Sequence, residues 1–242
     1  MGQNAQPPTP PVAPGKQPIV EVVFALDTTG SMAGLIDGAK RKIWSIANHI
    51  ASGQPTPKVR IGLVAYRDNG DAYVTQTFEL TDDLDAVYQN LMSFAAEGGG
   101  DTPEHVAKAL HDAINRTQWS ADAMKMVFLV GDAPPHTDYN DGYDYRKIVK
   151  TAAEKRIAVH TVRAGTDSET GRIWQEIASL NQGSYTTIEQ SGGMAAVATP
   201  YDGPLAEIGR RFAESAVIVG GTGETERVAR KVSAAAAAPA EA

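Results

Sequence analysis

The chain has 242 residues, with 22 Lys+Arg against 29 Asp+Glu and a formal net charge of −7. That acidic balance excludes nucleic acid as the main partner, because phosphate recognition needs a basic surface. Cysteine is absent, which excludes disulfides, thiolate zinc sites, iron–sulfur clusters and a cysteine nucleophile, and no apolar run approaches the ~18 residues of a membrane span.

Residues 1–18 hold six of the 14 prolines and no apolar cluster, so they read as an extended or disordered linker. They lack the basic start and apolar h-region of a signal peptide. Gln6 breaks the myristoylation pattern that Met1-Gly2 begins. A Pro-rich stretch ahead of a domain favours export (periplasmic, secreted or surface-associated) over a cytosolic linker. Residues 19–215 suit one domain large enough to bury most of its apolar surface. Residues 216–242 are an Ala-rich extension with no apolar face to pack, and fraying is expected there.

Ile19 to Leu26 is a nearly continuous apolar run, the mark of a strand buried on both faces. Ser31 to Ala51 reads as a helix, with Leu35, Ile36, Ala39, Ile43, Ile46 and Ile50 on one stripe. Val59 to Tyr66 is a second strand. The turn sequence Asp68-Asn69-Gly70-Asp71 returns Tyr73 to Phe78 as an antiparallel partner. Asp83 to Phe94 is a helix. Glu97 to Asp101 is a glycine-rich loop. A helix from Pro103 to Arg116 is expected next, with Thr102 as N-cap and Pro103 in the first helical position. Met124 to Val130 is a buried strand, Tyr143 to Lys155 a helix, and Ile157 to Arg163 a strand. Glu169 to Leu180 is a helix, Ser184 to Ile188 a strand, and Pro204 to Glu214 a closing helix. This alternation predicts an α/β fold: a doubly wound, mostly parallel central sheet with one antiparallel edge strand and helices on both faces.

Such sheets bind ligands at the carboxyl ends of their strands, where the strand order reverses. The loops there carry oxygen ligands. Asp27, Thr29 and Ser31 alternate after the first strand, and Gly30 lets the loop turn. Thr102 ends the glycine-rich loop, and Asp132 follows the fourth strand. Two carboxylates and three hydroxyls make a hard oxygen set that suits Mg²⁺ or Mn²⁺, and Ca²⁺ less well. Two carboxylates only neutralise a divalent ion, which then remains an acceptor for a further carboxylate. Asp68 is a candidate for the outer shell of that ion. His136 and Tyr139 are candidates for a partner groove.

Asp-x-Thr-x-Ser after a buried first strand, a Thr closing a glycine-rich loop and an Asp after the fourth strand resemble the von Willebrand factor type A domain. The pattern is similar to its metal-ion-dependent adhesion site, with Thr29 at a position where Ser is more usual. Val64 to Asp68, Gly98 to Glu104, Gly131 to His136 and Ala198 to Asp202 are similar to bacterial proteins that carry this domain. The resemblance implies metal-dependent binding of a protein partner, whose Asp or Glu completes the ion's shell. It also implies a shift of the closing helix that is coupled to the metal. A monomer is expected, with no enzyme activity.

Other classes fit less well. A phosphatase of the haloacid dehalogenase type needs a second carboxylate at position 29. A serine hydrolase needs Gly-x-Ser-x-Gly around Ser31. Gly220 to Glu224 lacks the lysine of a phosphate-binding loop. Metal-assisted hydrolysis, and a structural domain with a non-functional site, remain the alternatives to the binding module.

Overall fold

The structure is a computed structural model and describes residues 17–188, apart from 54, 55, 101 and 182. The closing helix expected at Pro204 to Glu214 lies outside the described residues, as do the proline-rich and alanine-rich segments.

Apolar strands that alternate with amphipathic helices must bury both sheet faces. They do so in a six-stranded sheet of order β3-β2-β1-β4-β5-β6. The strands are β1 (Ile19–Asp27), β2 (Lys58–Tyr66), β3 (Thr75–Thr81), β4 (Met124–Gly131), β5 (Ile157–Ala164) and β6 (Tyr185–Ile188). β3 pairs antiparallel with β2, and the other pairings are parallel. The helices are α1 (Ile36–Ala51), α2 (Leu84–Ser93), α3 (Val106–His111), α4 (Tyr145–Glu154) and α5 (Ser168–Leu180). Asp83, Asp144 and Asp167 cap α2, α4 and α5 through their carboxylates, which supplies acceptors to amides with no partner inside the helix.

The alternation of side chains along β1 divides the core. Val22, Phe24 and Leu26 pack with α1 and α2 residues such as Ile43 and Leu91. Val23 and Ala25 pack with residues of α3, α4 and α5 such as Leu110, Val149 and Trp174. Asp27 continues the odd-numbered face, the one on which α3 sits. β1 lies between β2 and β4, so the chain winds one way from β1 to β2 and the other way from β4 onward. The crevice at the ends of β1 and β4 is therefore the switch point, with Leu26 paired to Val130 at the last shared register.

Two expected helices differ from the sequence reading. The first begins as a 3₁₀ turn, Gly30–Gly34, before α1 proper. The helix expected from Pro103 starts at Val106 instead, is capped by the His105 ring, and passes into a π-helical turn at Asp112–Arg116. Thr102 is therefore not an N-cap. The reason is tertiary. The amide of Glu104 donates to the Pro134 carbonyl at 2.9 Å, and the Glu104 carbonyl accepts from the His136 amide at 3.0 Å. Glu104 spends its amide on the β4–α4 loop, and its carbonyl is shared between the His136 amide and, at 2.8 Å, the Val106 amide, so no regular helical turn forms there.

Candidate metal centre

Asp27 ends β1 with its side chain fully buried. Its Oδ1 accepts from the Thr29 amide at 2.9 Å and from the Thr29 hydroxyl at 2.7 Å. The Thr29 and Ser31 hydroxyl oxygens stand 3.1 Å apart. Ser31 donates to Asp132 Oδ1 at 2.9 Å. Four of the five residues singled out in the sequence thus meet in one continuous run of oxygens. The close approach is possible because two positions lack side chains. A Cβ on Gly30 would stand 2.6 Å from the Gly98 carbonyl, and one on Gly131 would strike the Tyr66 hydroxyl.

The glycine-rich loop closes over this run. Gly30 donates to Gly98 at 3.0 Å and Glu97 to Thr28 at 3.0 Å, while Asp71 Oδ1 accepts from the Gly99 amide at 2.8 Å. Between them lies a cavity of about 360 Å³ lined by Gly30, Ser31, Gly98, Gly99, Gly100, Thr102 and Glu104. Thr102 stands on its rim as an exposed residue. Glu104 is 1% exposed, and its chemistry was missed in the sequence.

The electrostatics of this end are unusual. Asp27 is pushed up to about 7, first by burial and then by the charge of Asp132. Glu104 is pushed up to about 8, by burial and by the charges of Asp27, Asp68 and Asp71. Burial also raises Asp132, against a hydrogen bond from Ser31. Burial, other carboxylates and hydrogen bonds are the leading influences on these carboxyls, and no Lys or Arg of the described residues is among them. Glu104 Oε2 and Asp27 Oδ2 are buried with no well-formed hydrogen bond; the neighbour of Asp27 Oδ2 is the Tyr66 hydroxyl, which makes a long bond of 3.4 Å to the Val130 carbonyl and also interacts with the Asp27 carboxylate. Buried carboxylate oxygens of this kind cost folding free energy unless a proton or a cation reaches them.

Asp68 follows β2 at the same end and is buried. Its Oδ2 accepts from the Tyr139 hydroxyl at 2.6 Å and lies 3.6 Å from His136 Nε2. The His136 and Tyr139 rings stack with centroids 4.0 Å apart, and both line a second cavity of about 440 Å³ on the β4–α4 loop. Asp68, His136 and Tyr139 thus form one cluster beside the oxygen run. From sequence, Asp68 stood apart as an outer-shell candidate while His136 and Tyr139 were candidates for a partner groove.

Among the described residues, no group of three or more His, Cys, Asp or Glu is gathered so as to hold a metal by itself. The oxygen run contains only two carboxylates, and hydroxyls stand between them. Around a Mg²⁺ ion, oxygens at roughly 2.0–2.1 Å lie about 2.9 Å apart along an octahedral edge. The observed spacings of 2.7, 3.1 and 2.9 Å are of that length, which is also that of ordinary O–H···O bonds. Each hydroxyl also keeps a lone pair after its proton is donated. The donor set therefore fits a small, hard divalent cation.

The family model described as the von Willebrand factor A domain matches residues 21–200. Human von Willebrand factor A domain-containing protein 7 is 32% identical over 166 residues, which cover 67% of this chain and 17% of that protein. The chain thus corresponds to a minor part of that relative's length. Two solved structures share the fold. The conserved hypothetical protein BatB from Bacteroides thetaiotaomicron aligns with a TM-score of 0.54 at 17% identity, covering 87% of this chain and 99% of that one. An aerotolerance-related membrane protein from Bacteroides fragilis aligns with a TM-score of 0.52 at 18% identity, covering 72% of this chain and 93% of that one.

Proposed function

This chain belongs to the von Willebrand factor A domain family, and from that premise we propose that it is a cation-dependent protein-binding module. Domains of this family are non-catalytic interaction modules, and the chain is accordingly read as a binding protein and not as an enzyme. Asp27, Thr29, Ser31 and Asp132 would hold a Mg²⁺ or Mn²⁺ ion at the switch point. The ion, when bound, supplies a Lewis-acidic position that a partner's carboxylate can occupy. The chain's own residues fix where that happens. Gly30 and Gly131 let the loops close, and Thr29 and Ser31 orient the two carboxylates by donating to them.

The observation that carries this reading is Asp27 Oδ2, an oxygen with no well-formed hydrogen bond on a fully buried carboxylate whose pKa burial and Asp132 raise together. The partner is then a protein that presents Asp or Glu. Tyr139, beside the site, is of a residue type enriched in partner contacts. Calorimetric titration with Mg²⁺ and with Mn²⁺ tests the reading. Wild type is expected to bind and Asp27→Ala to give only dilution heats; equal binding heats from the two proteins would refute the site.

A further inference from the structure

A cleft of about 390 Å³ opens at the amino ends of β4 and β5, the opposite end of the parallel strands from Asp27. Its base is apolar, formed by Ile114 and Ile157, each 1% exposed. Trp119 lines it too, half-buried against the same core, and its indole N–H donates to the Ala113 carbonyl at 3.2 Å, which fixes the ring. Ala113 and Ile114 belong to the π-helical turn, a rare form that is frequent at functional sites. Two lysines reach the cleft and no Asp or Glu lines it, in a chain whose net charge is −7. Lys155 Nζ donates to Asn115 Oδ1 at 2.6 Å and to the Ile114 carbonyl at 3.5 Å, both neutral acceptors. Lys125 continues the face of β4 that carries Val127 and Leu129. It is half-buried there and has no hydrogen bond or ion pair among the described residues. Glu21 stands in register with it across β1, but Glu21 gives its oxygens to Arg60 and Ser120.

We propose that this cleft is a second binding site, for a small organic anion: a carboxylate carried on a flat apolar or aromatic body. The Lys125 and Lys155 ammoniums meet the carboxylate, and the ring lies against Trp119 over Ile114 and Ile157. A half-buried ammonium with no anion of its own leaves a charge for an incoming anion to answer. The indole beside it supplies the flat apolar surface that an aromatic body packs on. An apolar base with a few convergent polar groups, in a cleft within the roughly 300–1,000 Å³ of small-molecule sites, is the usual form of such a site. The lining repels a cation, and a neutral ligand leaves both charges unanswered. The site is independent of the cation-dependent reading above, since none of its residues is shared with the Asp27 end.

Phenylacetate is the probe, titrated into the full-length chain in chelator. Binding is followed by the indole N–H resonance of Trp119, which Trp119→Phe identifies by its loss. Wild type is expected to shift that resonance saturably. Lys125→Met keeps an apolar stem and removes the charge; it is expected to weaken phenylacetate by ~10-fold or more, the scale of one charged hydrogen bond, and Lys125→Met/Lys155→Met to weaken it further. Phenylacetamide, of the same shape without the charge, and acetate, with the charge but no ring, should each bind wild type more weakly than phenylacetate. Asp27→Ala should bind phenylacetate as wild type does, and thermal melts confirm that each variant is folded. No saturable shift in wild type, equal binding of phenylacetamide and phenylacetate, or wild-type affinity in the double lysine variant would overturn the proposal. Loss of binding in a folded Asp27→Ala would place the anion at the other end of the sheet and overturn it as well.

Discussion

Two carboxylates on one strand, six residues apart, are both fully buried and have opposite surroundings. Glu21, near the start of β1, accepts from Arg60 at 2.6 Å, from the Ser120 hydroxyl at 2.6 Å and from the Ser120 amide at 2.8 Å. Asp27, at the end of β1, has one oxygen bonded to Thr29, while the other has only the Tyr66 hydroxyl beside it and no well-formed bond. Among the described residues no Lys or Arg is among the leading influences on it. Burial alone therefore does not mark a functional acid. The Glu21 end completes its own hydrogen bonding and fastens β1 to β2 and to the segment before β4. The Asp27 end leaves a buried carboxylate raised to about 7. Asp112 belongs with Glu21: it is fully buried, yet Lys108, Thr75 and His111 outweigh the burial and hold its carboxyl below the usual range.

This contrast breaks most sharply under substitution. Replacing Arg60 by Ala strands Glu21 as a lone buried charge and is expected to cost about 3–5 kcal/mol, read from urea denaturation. Asp27→Asn should do the reverse in chelator at pH 8, stabilising the ion-free protein by about 1–3 kcal/mol. A loss of stability in Asp27→Asn comparable to that in Arg60→Ala would show that the two ends are equivalent after all.

A pH series sharpens the same comparison. Asp27 rises in the fold from 3.8 to about 7 and Glu104 from 4.5 to about 8. Across that window the folded, ion-free protein binds more protons than the unfolded chain. Its stability is therefore greatest at low pH within the window and is lost as pH rises through the folded values. Melting in chelator is expected at a lower temperature at pH 8 than at pH 5.5, with a shallower slope in Asp27→Asn and in Glu104→Gln. A melting temperature that climbs over this range would contradict the assignment of uncompensated acids to this end.

Smaller effects follow from the loops that shape the site. Gly131→Ala pushes a methyl group against the Tyr66 hydroxyl and, at 3.0 Å, against Asp27 Cβ. It should cost about 1–3 kcal/mol by overpacking. Asp71→Ala removes the acceptor that holds the Gly99 amide and should cost only about 0.5–1.5 kcal/mol. It should be visible mainly as faster amide exchange in the glycine-rich loop.

The legible part of this protein is the part that periodicity and position determine. Apolar runs gave β1, β2, β4 and β5, and the Asp68–Asp71 turn gave the antiparallel edge. Position after a buried strand was enough to bring Asp27, Thr29, Ser31 and Asp132 into consideration, and the structure places them in one run of oxygens. The N-cap reading of Thr102 failed because Thr-Pro-Glu reads locally as the start of a helix. What redirects that segment is its pairing with Pro134, Pro135 and His136, thirty residues away in sequence and invisible to any local pattern. The same pairing buries Glu104. A sign was present in the chain: a glutamate set directly against the apolar start of α3, where an exposed acid would be out of place. The joining of Asp68, His136 and Tyr139 was likewise tertiary, since their loops meet only once β2 and β4 flank β1.

The most direct test of the central claim, that the Asp27 end is completed by a divalent cation and the Glu21 end is not, is the melting temperature of the wild-type chain with saturating Mg²⁺ and with chelator at pH 8. A ligand that binds only the folded state raises stability by about 2.7 kcal/mol at 100 times its dissociation constant. The account predicts a clear upward shift with Mg²⁺ that disappears in Asp27→Asn. Identical melting of the wild type in Mg²⁺ and in chelator would contradict it.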